Sequence, residues 1–336
     1  MSGNCVAIVI PFVAWGALVE DCVEGCLAQD YDRYVVCLLP SSPATVPPRW
    51  ASHPKVRVVP TPADGIAHKR NVGMQACPDA DFYAFIDSDA IPGPDWLRQG
   101  VRAFGESESI WLVGGPDISP AYDDVYRRAV SLALRSVLLG GPRIHAKRGG
   151  ADRDVDDLKT CNLFARADAM RVIGGFDERM EVGEDSALCQ SVRRSGMRLV
   201  FRSSVCVAHH ARRLYAPFVA QRITSGYGVP DLVKYYGASM GWWSIAFRYL
   251  PSAAVLYFVA GLFLVGIPEW IGYWVAGAVL YFAVVLVETV RWSKRAKDHP
   301  RVMAALVLGN LCPGVGTWLR VLGVRLQLSR FYRNDV

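Results

Sequence analysis

Apolar residues occur in two kinds of run along this chain, and the change from one kind to the other divides it. Through the first 240 residues they form short blocks separated by polar turns. Val6 to Phe12, Tyr34 to Leu39 and Phe82 to Ile86 lack polar alternation, as strands buried on both faces require. Val56 to Val59 predicts a further short strand. Leu18 to Gln29, Gly65 to Ala76 and Ser186 to Arg194 read as helices, the first and last with apolar positions at helical spacing. Strand and helix alternating at these intervals predict an α/β fold with a doubly wound, mostly parallel, Rossmann-like sheet.

Beyond Gly241 the runs lengthen. Tyr249 to Ile267 and Trp270 to Val287 each approach the ~20 apolar residues that cross a bilayer. Only Pro268-Glu269 separates them, which predicts a tight membrane hairpin; a buried soluble helix pair is the alternative. Trp242, Trp243, Trp270, Trp274 and Trp292 suit interfacial anchors. Val302 to Leu328 is apolar but interrupted by Pro313-Gly314 and closed by Arg320 and Arg325, with Arg330 just beyond. That pattern predicts a re-entrant or interfacial segment in place of a third span. The boundary falls between residues 237 and 248, giving a domain over 1–240 and a membrane region over 241–336. Arg291, Lys294, Arg295, Lys297 and Arg301 make a basic loop over 291–301. Under the positive-inside rule it is cytoplasmic, with the first domain on the same side of an inner or plasma membrane.

Composition sharpens this picture in three places. Of 336 residues 52% are hydrophobic, and the excess lies past Gly241. The nine cysteines show no paired Cys-x-x-Cys spacing, which predicts buried free thiols and a reducing compartment, with neither a zinc site nor a disulfide framework. The net charge of +6 gathers near apolar segments and points to a membrane surface before nucleic acid. No basic n-region precedes an apolar run, so no cleaved signal peptide is expected.

Candidate chemistry begins where Phe82 to Ile86 runs into Asp87-Ser88-Asp89 and then Pro92-Gly93-Pro94. Ligands bind at the carboxyl end of an open α/β sheet, and two hard oxygen donors there suit a divalent cation, Mg2+ or Mn2+, carrying a diphosphate. The same residues are good turn chemistry. Lys69 and Arg70 lie in the helix that Gly65 opens, where a helix start suits an anion; a solvated face is the other reading. Beside Asp87 and Asp89 they complete a candidate nucleotide-diphosphate site.

The ordered set Pro11, Gly65-x4-Arg70-Asn71-x-Gly73, Phe85-Ile86-Asp87-Ser88-Asp89, Pro94-Asp95-Trp96-Leu97, Gly174-Gly175-Phe176-Asp177-Glu178 and Gly183-Glu184-Asp185 resembles the family 2 inverting glycosyltransferases of GT-A fold. The resemblance covers roughly residues 5 to 228. It implies nucleotide-sugar contacts from Pro11, Phe12, Arg70, Asp87 and Ser88, with Asp87 near the donor ribose. It implies metal ligation by Asp89 with Asp87, and general-base catalysis by Asp185, with Glu184 the neighbouring candidate. Thr160 to Arg166 resembles the strand leading to the acceptor, which puts Asn162, Gly175 and Phe176 on the acceptor side. Val205 to His210 ends in paired histidines where the family often places one near the metal, His209 before His210. Two departures stand out. Leu38-Leu39-Pro40-Ser41-Ser42 lacks the acidic residues usual after the second strand, and Gln221-Arg222 with Gly226-Tyr227-Gly228 only loosely matches the motif of processive members. Single-sugar transfer is therefore expected.

Val125 to Leu139 mixes arginines with apolar residues, as an interfacial helix or an ordinary packed one would. Arg143, Lys147 and Arg148 follow and suit the phosphates of a lipid-linked acceptor. Together these features predict a membrane-anchored, metal-dependent inverting glycosyltransferase. Its donor would be a UDP- or GDP-sugar and its acceptor a polyprenyl-linked saccharide in cell-surface polysaccharide or glycan assembly. Transfer directly to polyprenyl phosphate is one alternative, and a non-catalytic membrane scaffold that keeps the fold is another.

Overall fold

A computed structural model describes residues 4–42, 46–62, 65–140, 150–264 and 267–326. Arg143, Lys147 and Arg148 lie outside the described residues. The chain divides into two compact units, one formed by residues up to 120 with 145–210, the other by 121–144 with 211–335. The second unit therefore takes in chain on the N-terminal side of residue 240.

The first unit is built on an eight-stranded sheet. Its strands are β1 (Val6–Phe12), β2 (Tyr34–Pro40), β3 (Val56–Val58), β4 (Phe82–Ile86), β6 (Ile110–Gly114), β8 (Arg153–Asp154), β9 (Asn162–Arg166) and β10 (Arg198–Phe201). Their order is β3-β2-β1-β4-β9-β6-β10-β8. The uninterrupted apolar character of β1 follows from what covers it. Ile8 and Ile10 face Cys22, Val23 and Trp96, whereas Ala7 and Val9 face Met74 and Leu188 on the other side. Burial on both faces removes any need for polar alternation.

The sheet is mixed. β1, β2, β3 and β4 pair in parallel, but β9 runs antiparallel between β4 and β6. Because it runs backwards, β9 begins where β4 ends, with Asn162 opposite Ile86. A second, three-stranded sheet joins β5 (Ala90–Pro92), β11 (Val207–His209) and β7 (Asp117–Ile118) in the order β5-β11-β7. Of the nine cysteines, seven are buried and none is in a disulfide, as their apolar settings predict.

In the second unit the Val125–Leu134 helix is shorter than the apolar run that announced it. Asp124 opens it, its Oδ1 accepting from Tyr126 N at 2.8 Å and Arg127 N at 3.0 Å, the usual chemistry of a helix N-cap. Its buried Ala129, Val130 and Ala133 pack with Phe218, Val302, Ala305 and Leu306, so it is a packed helix.

Among the described residues three helices are long and apolar enough to cross a membrane: Trp242–Leu264, Pro268–Trp292 and the stretch Ala296–Val321. The expected hairpin is present with longer arms. Its surface is left uncovered by protein, with Leu262 75%, Phe263 78% and Leu280 66% exposed. Apolar surface of that extent fits membrane association. Where a re-entrant or interfacial segment is expected, His299–Val321 is one unbroken helix that runs through Pro313, and 56% of the apolar window of Ala296–Val321 is buried. A proline there leaves the carbonyl four residues back without its amide partner. That carbonyl belongs to Gly309, and Arg222 Nε donates to it at 3.0 Å. Burial pushes the Arg222 guanidinium down to about 10.

Arg222 reaches that carbonyl because its own helix, Ala216–Tyr227, crosses the proline-bearing helix backbone to backbone. A Cβ on Gly226 would lie 1.8 Å from Pro313 O, and one on Gly316 1.9 Å from Ile223 O. Gly316→Ala is therefore expected to force the helices apart at a cost of about 1–3 kcal/mol. Thermal unfolding of the purified full chain in detergent measures it, and parental stability would show that the crossing is not tight.

Candidate active site

The site forms where β1, β2 and β4 end. The chain leaves β4 at Ile86 and turns at once, Ala90 N donating to Asp87 O at 3.0 Å. Turn and ligand chemistry thus coexist at Asp87-Ser88-Asp89, all three half-buried. Pro11 and Phe12 close β1 and are buried beside them.

The Ile66–Ala76 helix carries both expected cations inward, with Lys69 and Arg70 buried, which removes the solvated-face reading. Lys69 Nζ donates to Phe12 O at 2.8 Å and Ser41 Oγ at 2.8 Å. It holds the ends of β1 and β2 together. Arg70 Nη1 donates to Glu184 Oε1 at 2.6 Å and Nη2 to Asp87 Oδ1 at 3.2 Å. Burial pulls the guanidinium pKa down, but Glu184, Asp87 and Asp185 outweigh it and hold it above its ordinary value.

This ion pair separates the roles of the two neighbouring acids. Both open the Glu184–Arg194 helix, behind Gly183 in the left-handed region at φ 86°. Glu184 is buried and bound to Arg70. Asp185 stays half-buried, Oδ1 accepting from Ser186 N at 2.7 Å. Ser186 Oγ donates to the buried Asp157 at 2.9 Å, which ties down the start of the helix.

Removing one member of a buried pair strands the other charge, at a cost of about 3–5 kcal/mol. Arg70→Met is expected to destabilise the chain on that scale, and Arg70→Met with Glu184→Leu to recover most of the loss. Chemical denaturation of the two variants decides it; equal stability of both would rule the pair out as the cause.

The two other glycine-bearing motifs meet each other. Asn71 Oδ1 accepts from Phe176 N at 2.8 Å, while Nδ2 donates to Phe176 O at 2.9 Å and Glu178 Oε1 at 2.8 Å. The turn that allows this needs φ of 80° at Gly175, where only glycine is unstrained. Phe176 is buried, edge-on to Phe85, with Arg70 5.5 Å above its ring. Asn162 is also buried: its amide donates to Pro116 O at 3.0 Å and Val205 O at 2.7 Å and accepts from Trp96 Nε1 at 2.8 Å. The side chains of Asn162 and Phe176 are thus buried and fixed by hydrogen bonds and ring packing.

The three-stranded sheet supplies the last group. His209 pairs with Ala90 across the β11–β5 ladder, which sets its ring beside the preceding Asp89. His209 Nε2 lies 3.1 Å from Asp89 Oδ1. His210 instead donates its backbone N to Asp89 O at 3.5 Å. Burial pulls the His209 pKa down, yet Asp89 and its other neighbours carry it well above the usual value. One atom each from Asp87, Asp89 and His209 falls within 4.8 Å of the others. The mixed oxygen and nitrogen donors fit a divalent ion such as Mn2+.

Sequence reading missed Asp117, which is buried with Oδ2 3.5 Å from His209 Nδ1. It sits in Gly114-Gly115-Pro116-Asp117, a stretch without periodicity, and only the pairing of β7 with β11 brings it to the site.

Residues 3–228 match the profile of the family described as glycosyltransferase like family 2. The pre-mycofactocin glycosyltransferase of Mycobacterium tuberculosis is 32% identical over 176 residues, 52% of this chain and 36% of that protein. The glycosyltransferase AglE of Haloferax volcanii is 29% identical over 143 residues, 43% of each chain. Both matches take in less than half of the relative's length. Among solved structures, the mannosyltransferase PcManGT from Pyrobaculum calidifontis, in complex with GDP-Man and Mn2+, superposes with a TM-score of 0.60. That likeness spans 96% of this chain and 88% of the other at 18% identity, and it carries the fold. The order of motifs, the sheet they decorate and the profile across two thirds of the chain agree: this protein belongs to the family 2-like glycosyltransferases and is a glycosyltransferase of GT-A fold.

Proposed function

We propose that the enzyme transfers one sugar, with inversion, from a nucleotide-diphosphate donor to a lipid-linked saccharide at the cytoplasmic face of a membrane. The observation that carries this reading is the pair of acids at the helix start. Glu184 is held by Arg70, which leaves Asp185 as the carboxylate to serve as base. Asp185 takes the proton of the acceptor hydroxyl as its oxygen bonds to the anomeric carbon. The bond from that carbon to the diphosphate oxygen breaks on the opposite side, which inverts the centre. Asp87, Asp89 and His209 would hold a divalent cation, which would supply positive charge against the diphosphate. Arg70 fixes Asp87 relative to the Glu184 helix, so donor and base keep one separation.

The apolar helices support the lipid acceptor. A chain confined to a bilayer meets a bilayer-borne substrate at raised effective concentration. The PcManGT complex, with GDP-Man and Mn2+, makes GDP-sugars with manganese the first donors to try, followed by UDP-sugars. Full-length protein in vesicles of bacterial lipid extract, given labelled nucleotide sugars, is expected to move label into the organic phase in a cation-dependent way. Label passing only to water-soluble acceptors would sink the lipid-acceptor reading. Pre-mycofactocin, named for the mycobacterial relative, belongs in the same assay.

A further inference from the structure

Resting on that metal-dependent reading, we infer that Asp117 is a positioning residue that sets the tautomer and ring orientation of His209, so that Nε2 faces the cation. The argument starts from the small sheet. β11 pairs with β5 on one side and β7 on the other, His209 lying opposite Ala90 and Val207 opposite Asp117. The histidine at the end of β11 is therefore flanked by a carboxylate from each neighbour. Asp89 lies 3.1 Å from Nε2 and Asp117 3.5 Å from Nδ1. An imidazole that binds a cation through one nitrogen keeps its proton on the other, and that N–H needs an acceptor. Asp117 is the carboxylate on that side.

The surroundings of Asp117 distinguish this role from direct ligation. Its side chain is 2% exposed, whereas that of Asp89 is 14% exposed. Lys159 Nζ lies 3.5 Å from Asp117 Oδ2, and Cys161 Sγ 3.7 Å from the same oxygen. Asp117, Cys161 and His209 do form a second group of close ligand atoms. The ammonium of Lys159 opposes a cation there. The cation belongs on the Asp89 side, and Asp117 works through the ring.

Manganese binding to the full-length protein, read from the electron paramagnetic resonance of the free ion with GDP or UDP present, tests this without any turnover. Asp117→Ala is expected to weaken binding about 10–100-fold, the usual loss when a metal ligand's supporting partner is removed. Asp117→Asn keeps an acceptor oxygen and the side-chain shape, so it should lose less than Asp117→Ala, and it serves where Asp117→Ala fails to fold. In a His209→Ala background, replacing Asp117 should cost no further affinity, since the residue acts through the ring; an added loss would make its role structural and overturn the inference. Cys161→Ser should bind manganese within about twofold of the parent. A loss as large as that of His209→Ala would put the ion in the buried cluster, which also overturns it. Parental affinity in both Asp117 variants refutes the inference alone, whereas a parent that binds no manganese removes the metal-dependent reading beneath it.

Discussion

Asp185→Asn is expected to lower sugar transfer about 10²-fold or more, the scale set by loss of a general base, while donor and metal affinity stay at the parental level. The carboxamide matches the carboxylate in shape and can still accept from Ser186 N, the bond that Oδ1 makes now. It cannot take a proton from an acceptor hydroxyl. Glu184→Gln should behave differently, because Glu184 is buried against Arg70: its main effect falls on stability through the weakened ion pair. Single-turnover rates and calorimetric donor affinity, measured on one preparation of each variant, separate the cases. Parental transfer by Asp185→Asn would remove it as the base.

Asp89→Asn is expected to weaken cation-dependent donor binding on the order of 100-fold, since even indirect supports of metal ligands are worth about 10–100-fold. A neutral amide matches neither the charge nor the oxygen donor strength that a divalent cation requires. Asp89 is the better probe of the pair. Asp87 also binds Arg70, so its replacement would disturb the Glu184 helix as well as the cation. Calorimetry of GDP and UDP with and without manganese measures the effect: the cation-dependent part should vanish and the cation-independent part persist. Equal affinity in variant and parent would take Asp89 out of the metal site.

Both predictions rest on residues whose places at a strand end and a helix start were legible without coordinates, because those are local features; their roles came from the family resemblance. The apolar block Phe82 to Ile86 shows where a buried strand stops, and the acids after it are at its exit whatever the sheet order. Gly183-Glu184-Asp185 likewise marks a helix start from its own neighbours. What the local pattern does not encode is which acid meets which cation. Arg70 is 114 positions from Glu184, and its choice of that acid depends on two helices being set against one sheet. Asn71 and Phe176, 105 positions apart, are joined in the same way, a clamp between two motifs.

The C-terminal apolar helices show the same division. Length and apolarity mark the helices from sequence, since crossing a bilayer needs little beyond enough apolar residues in a row. Pro313 suggests a break by the same local logic, because it removes one intrahelical hydrogen bond. Arg222, 87 positions from Gly309, supplies a donor to the orphaned carbonyl, and the helix continues.

The sequence by itself determined the strands β1 to β4, the helix starts, the acids at the exit of β4 and the long apolar runs, because each follows from periodicity, turn chemistry or charge within a few neighbouring residues; the role of Asp185 came from the family resemblance. Only the tertiary structure decided that β9 runs backwards to bring Asn162 beside Ile86. It alone set Arg70 on Glu184, placed Asp117 behind His209 and carried the last helix through its proline. Each of those outcomes is a contact between distant segments, and its energy exists only once a buried donor and a buried acceptor have been brought within hydrogen-bonding reach.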